Sequence, residues 1–347
     1  MTNRTHLPII PNSILRRHHV HEPLDHRFRA AARLLQSLWR IKQGLPMGQY
    51  ALRSGTKRRL GSRIAEREAA AGANFLSPDI ALLARREVAY REVGALYDEH
   101  RLWTNLLSSM PLTFNTFGPL RLDLDLATRM IRALCRDLVD ATVIAILFEH
   151  APGRGEAGRT GDHTAWDAAI NYQRANGRRG FLAIEVKYSE AMTEAARELS
   201  PHYAKLAAES GLYRDPAAEA LQRGGLQQLY REHVLAYATV AHGDEYDEGR
   251  FIVLAPALNR PVQKAIRAYT KQLAEPASDT IGFEHWTLEA FVDQMRACGA
   301  EVYADKLHER YLDWNTVDRE LEAAFAVAGQ IVKPANDNGR RNRPIAA

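Results

Sequence analysis

At 347 residues, with 46% hydrophobic and 25% charged residues, the chain is long enough for one large core or two modest ones and has an ordinary soluble composition. No apolar run reaches the roughly 18–20 residues of a membrane span, and the polar start Met1–His6 lacks the apolar core of a signal peptide, so a cytoplasmic location and no membrane partner are expected. The net charge of +4 permits nucleic-acid binding without requiring it, and two cysteines, Cys135 and Cys298, exclude a disulfide framework or a four-thiolate zinc site and read as small buried hydrophobes.

Residues 1–25 read as an irregular arm, because Pro8, Pro11 and Pro23 interrupt any helix. The run Arg16-Arg17-His18-His19-Val20-His21 has no companion carboxylate or cysteine at ligand spacing and reads as part of that solvated arm. From 26 to 108 the pattern is mainly helical, with Leu34, Leu35, Leu38 and Ile41 at helical spacing. Ser77-Pro78-Asp79 supplies a capping hydroxyl and a first-turn proline for a helix running to about Ser108. The basic residues Lys57, Arg58, Arg59, Arg63 and Arg67 read as a solvated helix face. Pro111 breaks the pattern, and the segment from Ser108 to Leu120 is too aromatic and polar for a plain linker. A helix is predicted over about 123–136.

The β-branched run from Ala141 to Glu149 reads as a buried strand. A Gly-rich loop from Pro152 to Gly161 leads to a second strand, 165–173, and a hairpin around Asn176-Gly177 returns the chain as a third, 181–188. A mostly helical stretch, broken by Pro201, Gly211 and Pro216, ends in a helix over about 217–240. A strand from Arg250 to Pro256, a helix over 261–274, a strand near 281–286 and helices near 288–297, 303–312 and 315–327 complete the order. The polar end, 331–347, with Arg340, Arg341 and Arg343, reads as a disordered basic tail. The fold class is therefore α/β: a helical N-terminal block, then a core over 109–330 with one mixed sheet flanked by helices, C-terminal helices included.

The chemistry concentrates on the hairpin. Even positions are apolar in both strands: Ala168, Ile170 and Tyr172, then Leu182, Ile184, Val186 and Tyr188. Opposed residues of an antiparallel pair share a face, so the numbers of paired residues must sum to an even value. A two-residue Asn176-Gly177 turn gives an odd sum and turns one apolar set away from the core. An odd-length loop with Gly177 in the left-handed conformation avoids this. Pairing Ile170 with Ile184 then sets Asp167 opposite Lys187 and Ala169 opposite Glu185, with Asp167, Glu185 and Lys187 on one face. Two neighbouring carboxylates repel, a hard divalent cation relieves that repulsion, and a lysine beside them can orient a water or stabilise developing charge. Asp162 is the rival aspartate, but it lies in the loop outside this register. The loop cations Arg154 and Arg159 read as flexible-loop charges, with phosphate contact as the alternative. No P-loop, nucleophile elbow or His-Glu-x-x-His helix appears.

Asp167 followed by Glu185-Val186-Lys187 on the next strand resembles the PD-(D/E)XK nuclease superfamily, and the string from Phe181 to Glu190 is similar to its restriction-endonuclease-like group. Ser108-Ser109 and Phe114-Asn115-Thr116-Phe117 upstream, and the glutamine-bearing stretch from Gln227 to His233 downstream, match further segments of that group. One departure stands at Trp166, where proline often precedes the aspartate. The resemblance implies a restriction-endonuclease-like fold and a magnesium-dependent DNA nuclease, with manganese as the alternative ion and restriction or defence as the setting. It implies that Asp167 and Glu185, with the Val186 carbonyl, hold the metal and that Lys187 assists the attacking water. It also implies a site glutamine, Gln228, with Gln227 as the alternative. An upstream acid is usual in the family; Glu149 is the candidate, against a plain solvent-facing strand end. Double-strand cleavage would suit a homodimer or two successive nicks. The competing function is a nucleic-acid-binding or scaffold protein on the same fold without catalysis.

Overall fold

The computed structural model describes residues 4–51, 55–156, 158–275 and 281–331; the expected basic tail lies, beyond Ile331, outside them. The chain opens with α1 (Asn12–Arg17) and α2 (Arg27–Lys42), followed by a hairpin of β1 (Met47–Ala51) and β2 (Lys57–Ile64). Four capped or tightly turned helices come next: α3 (Glu66–Ala70), α4 (Pro78–Ala89), α5 (Glu99–Thr104) and α6 (Ser109–Leu122). Then α7 (Leu124–Leu134) leads into the central sheet: β3 (Thr142–His150), β4 (Trp166–Gln173) and β5 (Arg179–Val186). Helices α8 (Pro201–Ser210) and α9 (Gly224–Ala241) connect to β6 (Glu248–Ala255). Helix α10 (Arg260–Thr270) connects to β7 (Gly282–Thr287), and α11 (Leu288–Ala297), α12 (Glu301–Tyr311) and α13 (Trp314–Ile331) follow.

The sheet runs in the order β3-β4-β5-β6-β7. Its first two pairings are antiparallel and its last two parallel, so it is mixed as expected. Both faces are covered. The even-numbered side chains Ile170, Leu182, Ile184 and Val186 join the core that α2, α6, α7 and the last three helices share. Ala169, Phe181 and Ala183 face the other core, built with α8, α9 and α10. No described helix is long and apolar enough to cross a membrane.

The expectations for the N-terminal third need correction. The described part of the expected arm, residues 4–25, is not solvated and irregular throughout: α1 forms, and Ile14, Leu15 and Val20 are buried in the same core as the sheet. His18 meets Glu320 of α13 at 2.9 Å. The predicted helix from Ser77 to Ser108 is two helices, because the chain leaves α4 at Tyr90 and restarts where the Asp98 carboxylate accepts from the Arg101 amide at 2.9 Å. Ser108 caps α6 in the same way, accepting from the Met110 amide at 3.3 Å. The basic run 57–59 lies on β2 rather than on a helix face. Exposed cations at the start of that strand hide the alternation that identifies a strand.

The hairpin between β4 and β5 keeps the even parity but shifts by one pair. Ile170 pairs with Leu182, and Ala169 with Ala183, rather than with Ile184 and Glu185. Gly177 decides this. Its φ is +88° and its amide donates to the Arg174 carbonyl at 2.9 Å, so it is the last of three loop residues. A type I turn followed by a left-handed residue then sets Arg174 and Arg178 as the closing pair, and the Arg174 amide bonds the Arg178 carbonyl at 2.8 Å. The two-residue turn is absent, as the parity requires.

Candidate active site

The shifted register draws the acids closer. Phe148 pairs with Ala168 and His150 with Trp166, which puts Glu149 of β3 beside Asp167 of β4. Ala168 pairs with Ile184, and one step further along the same register sets Asp167 beside Glu185 of β5, not beside Lys187. Three carboxylates thus form a row across three adjacent strands. Like charges so placed oppose folding, so the row calls for a cation or for protonation.

Lys187 follows the last residue of β5, held in line by its amide's bond to the Leu254 carbonyl at 2.8 Å. Its ammonium meets Glu185 Oε1 at 2.7 Å and donates to Gln228 Oε1 at 2.8 Å. Gln228 Nε2 donates to Glu185 Oε1 and to Glu232 Oε1, both at 2.8 Å. Gln228 and Glu232 stand four apart on α9 and so share one helix face. Gly225 allows α9 to start this close to the segment that follows β5, because a Cβ there would lie 2.6 Å from the Met192 carbonyl oxygen. Asp167 Oδ2 accepts from the Val186 amide at 2.8 Å.

The electrostatics follow from burial and crowding. Burial first, then Glu185, pushes the Glu149 carboxyl up to about 7, against the pull of Arg154 and Arg101. Burial, Glu185 and Glu149 raise the Asp167 carboxyl well above its usual range, with Lys187 and the Val186 amide opposing. Glu232 is raised by burial and by Glu185. Burial alone would lower the Lys187 ammonium, but Glu185, Glu190 and Glu232 outweigh it and hold the lysine charged.

Of the residues singled out in the sequence, Glu149, Asp167, Glu185, Lys187 and Gln228 meet at this sheet end. Val186 contributes its amide to Asp167 and buries its side chain in the opposite core. Gln227 points elsewhere, to the Arg197 backbone. Asp162 organises its own loop through Thr160, Thr164 and Tyr203. The loop cations are clamped rather than flexible: Arg154 donates to the Glu149 carbonyl at 2.6 Å and to Glu92 at 3.1 Å, and Arg159 to the Thr239 carbonyl at 3.2 Å. Asn115 of the Phe-Asn-x-Phe segment is structural, joining the Leu76 amide, the Asn74 carbonyl and the Tyr311 hydroxyl. Both cysteines are free; burial pushes the Cys135 thiol up to about 12.

Sequence reading missed Glu232. It is buried, and its Oε2 atom has no hydrogen-bond partner. The signal was its position four residues after Gln228. Carboxylate oxygens in local excess, one of them buried and unpartnered, fit a hard divalent cation. Among the described residues no group of three or more His, Cys, Asp or Glu side chains is placed to hold a metal ion; Glu185 is engaged by Lys187 and Gln228, and Asp167 by an amide.

A mixed five-stranded sheet sandwiched by helices, with acids on neighbouring strands and a lysine at the strand end, defines a restriction-endonuclease-like class. The family model for the PD-(D/E)XK nuclease superfamily matches residues 23–313, and the chain belongs to that superfamily. No curated protein and no solved structure gives a significant match.

Proposed function

We propose that the chain is a divalent-metal-dependent nuclease that hydrolyses DNA phosphodiester bonds, in a restriction or defence setting. The observation that carries this reading is the row Glu149–Asp167–Glu185 beside Lys187 and Gln228. Asp167 and Glu185 would hold the ion, with the Val186 carbonyl and Glu149 as further oxygen donors. Magnesium suits such a set, and manganese accepts the same donors. A bound ion supplies a more acidic water and offsets charge at phosphorus.

The chain's own residues do the rest. Lys187, kept charged by the surrounding acids, donates toward the attacking water or a phosphate oxygen. Gln228 fixes the Lys187 ammonium with its carbonyl and Glu185 with its amide group. Glu232 sets the far side of that amide. Cutting both strands of a duplex would take two successive nicks or two copies of the chain.

The test is plasmid cleavage with Mg²⁺ by wild type, Asp167→Ala and Lys187→Ala. The expected result is loss of about a thousandfold or more for Asp167→Ala, the scale of several kcal/mol of lost charge stabilisation. Undiminished cleavage by both variants would overturn the site. A wild type that binds DNA but cleaves neither DNA nor RNA would favour the non-catalytic binding module.

A further inference from the structure

The carboxylate row sets a problem for a polyanionic substrate. Glu149, Asp167, Glu185 and Glu232 crowd around one lysine, so phosphate must be drawn in by cations placed nearby. The β1–β2 hairpin and α5 carry such cations. A groove of about 310 Å³ is lined there by Gln49, Tyr50, Lys57, Arg63, Glu66 and His100. The guanidinium groups of Arg58 and Arg63 lie 5.7 and 5.4 Å from the centre of the Tyr50 ring. Arg63 Nη1 donates to Thr104 Oγ1 at 2.9 Å, which orients its fork across the groove wall. Lys57 and Arg59 are exposed and make no ion pair among the described residues.

The groove is tied to the sheet end that carries the acids. The Leu106 amide donates to the Ser62 carbonyl of β2 at 3.1 Å. Next to it, the Leu107 carbonyl accepts from Ser189, two residues beyond Lys187, at 3.2 Å. Arg101 of α5 donates to Ser108 at 3.4 Å and is close enough to act electrostatically on Glu149. Through Leu106 and Leu107 the hairpin is therefore tied to the segment that follows Lys187.

We propose that the β1–β2 hairpin and α5 bind the phosphodiester backbone of the DNA strand on its way to the acid row. Lys57 meets phosphates as a point charge, Arg59 and Arg63 meet them with their forks, and the Tyr50 ring holds the Arg58 and Arg63 guanidinium groups over it. The proposal rests on the nuclease reading and assigns where its substrate is held.

The test is fluorescence anisotropy of a short labelled DNA duplex with the full chain in EDTA, across a salt series. Three proteins are compared: wild type, Lys57→Gln/Arg59→Gln, and Lys264→Gln/Lys271→Gln, a control with the same charge loss at exposed positions in and just after α10. The hairpin pair is expected to weaken binding roughly tenfold at low salt and to flatten the salt slope by about 0.7–0.9 for each phosphate that is no longer neutralised. The control pair is expected to bind as wild type does. Equal melting temperatures check folding, and Lys57→Gln alone serves if the double variant melts early. Equal losses in both pairs, or none in the hairpin pair, would overturn the proposal and leave the nuclease reading standing, since plasmid cleavage judges that separately. A wild type that cleaves yet shows no salt-dependent binding would also overturn it. A wild type that neither binds nor cleaves would overturn both.

Discussion

Two buried polar clusters in this molecule are built on opposite principles. The first surrounds Arg310 on α12, which is fully buried. Its guanidinium donates to the Asn74 carbonyl at 2.6 Å and to the Asn74 side chain, and it stacks on Trp39 and Tyr311 at 4.4 and 4.8 Å. Gln36 of α2 donates to the Arg310 carbonyl at 2.7 Å and to the Tyr188 hydroxyl at 3.2 Å. One charge is surrounded by dipoles and ring faces that satisfy it, and the cluster joins α2 to α12. The second is the acid row, where several carboxylates share one ammonium and Glu232 keeps an oxygen unpartnered. A satisfied network holds a fold together; a network left with excess charge of one sign lowers stability and is kept for what it can bind.

The largest expected effect separates the two by sign. Arg310→Ala takes the guanidinium from the side-chain oxygens of Asn74 and Gln36, while the Asn74 carbonyl keeps Asn115, and should cost about 3–5 kcal/mol of stability. Asp167→Asn removes a carboxylate held well above its usual range by burial and its neighbours, so it should raise the metal-free melting temperature while abolishing cleavage. Denaturant titration of both variants in EDTA measures this. A destabilised Asp167→Asn would mean that the row is a structural network after all.

The next effect depends on pH. The Glu149 carboxyl rises to about 7 in the fold from an ordinary 4.5. A carboxyl raised in this way favours the fold while protonated, so its contribution is present below pH 4.5 and lost as the pH climbs to about 7. Without metal, the protein should therefore be less stable at pH 8 than at pH 5, and Glu149→Gln should reduce the difference. Asp167 and Glu232 shift in the same direction, so part of the slope should survive. Adding a divalent ion at pH 8 should restore stability by about 2.7 kcal/mol at a hundred times its Kd. Identical slopes for wild type and Glu149→Gln would remove Glu149 from the row.

The strands were legible because β-branched and alternating residues dominate them, and parity fixed which side chains of β4 and β5 share a face. The pair-by-pair register was not legible: it depends on Gly177 being the third loop residue rather than the second, a choice between two turns that alternation permits equally. Glu149 stands beside Asp167 through the separate register of β3 on β4, which no turn signal in the long loop between them sets. The β1–β2 hairpin was hidden because Lys57, Arg58 and Arg59 replace the apolar half of its pattern, and its burial begins at Leu60. Glu232 lies in the glutamine-bearing stretch of α9, but its unpartnered oxygen is a property of packing between helix and sheet.

The smallest effect tests the joint between the acids and the lysine. Gln228 is neutral, yet three charged groups fix its amide: an ammonium on the oxygen side and two carboxylates on the nitrogen side. A reversed amide would point N–H groups at Lys187 and oxygen at both acids, so only one orientation is tolerable. Gln228→Ala removes this spacer while keeping every charge. Lys187 keeps its contact with Glu185 but loses the anchor that sets its direction. The expected result is about a tenfold fall in cleavage rate, the low end of what a residue that orients a site group contributes, with little change in substrate affinity. Gln227→Ala, one residue away and bonded to the Arg197 backbone, should leave the rate unchanged. Equal rates for both variants would show that the strand register alone positions Lys187.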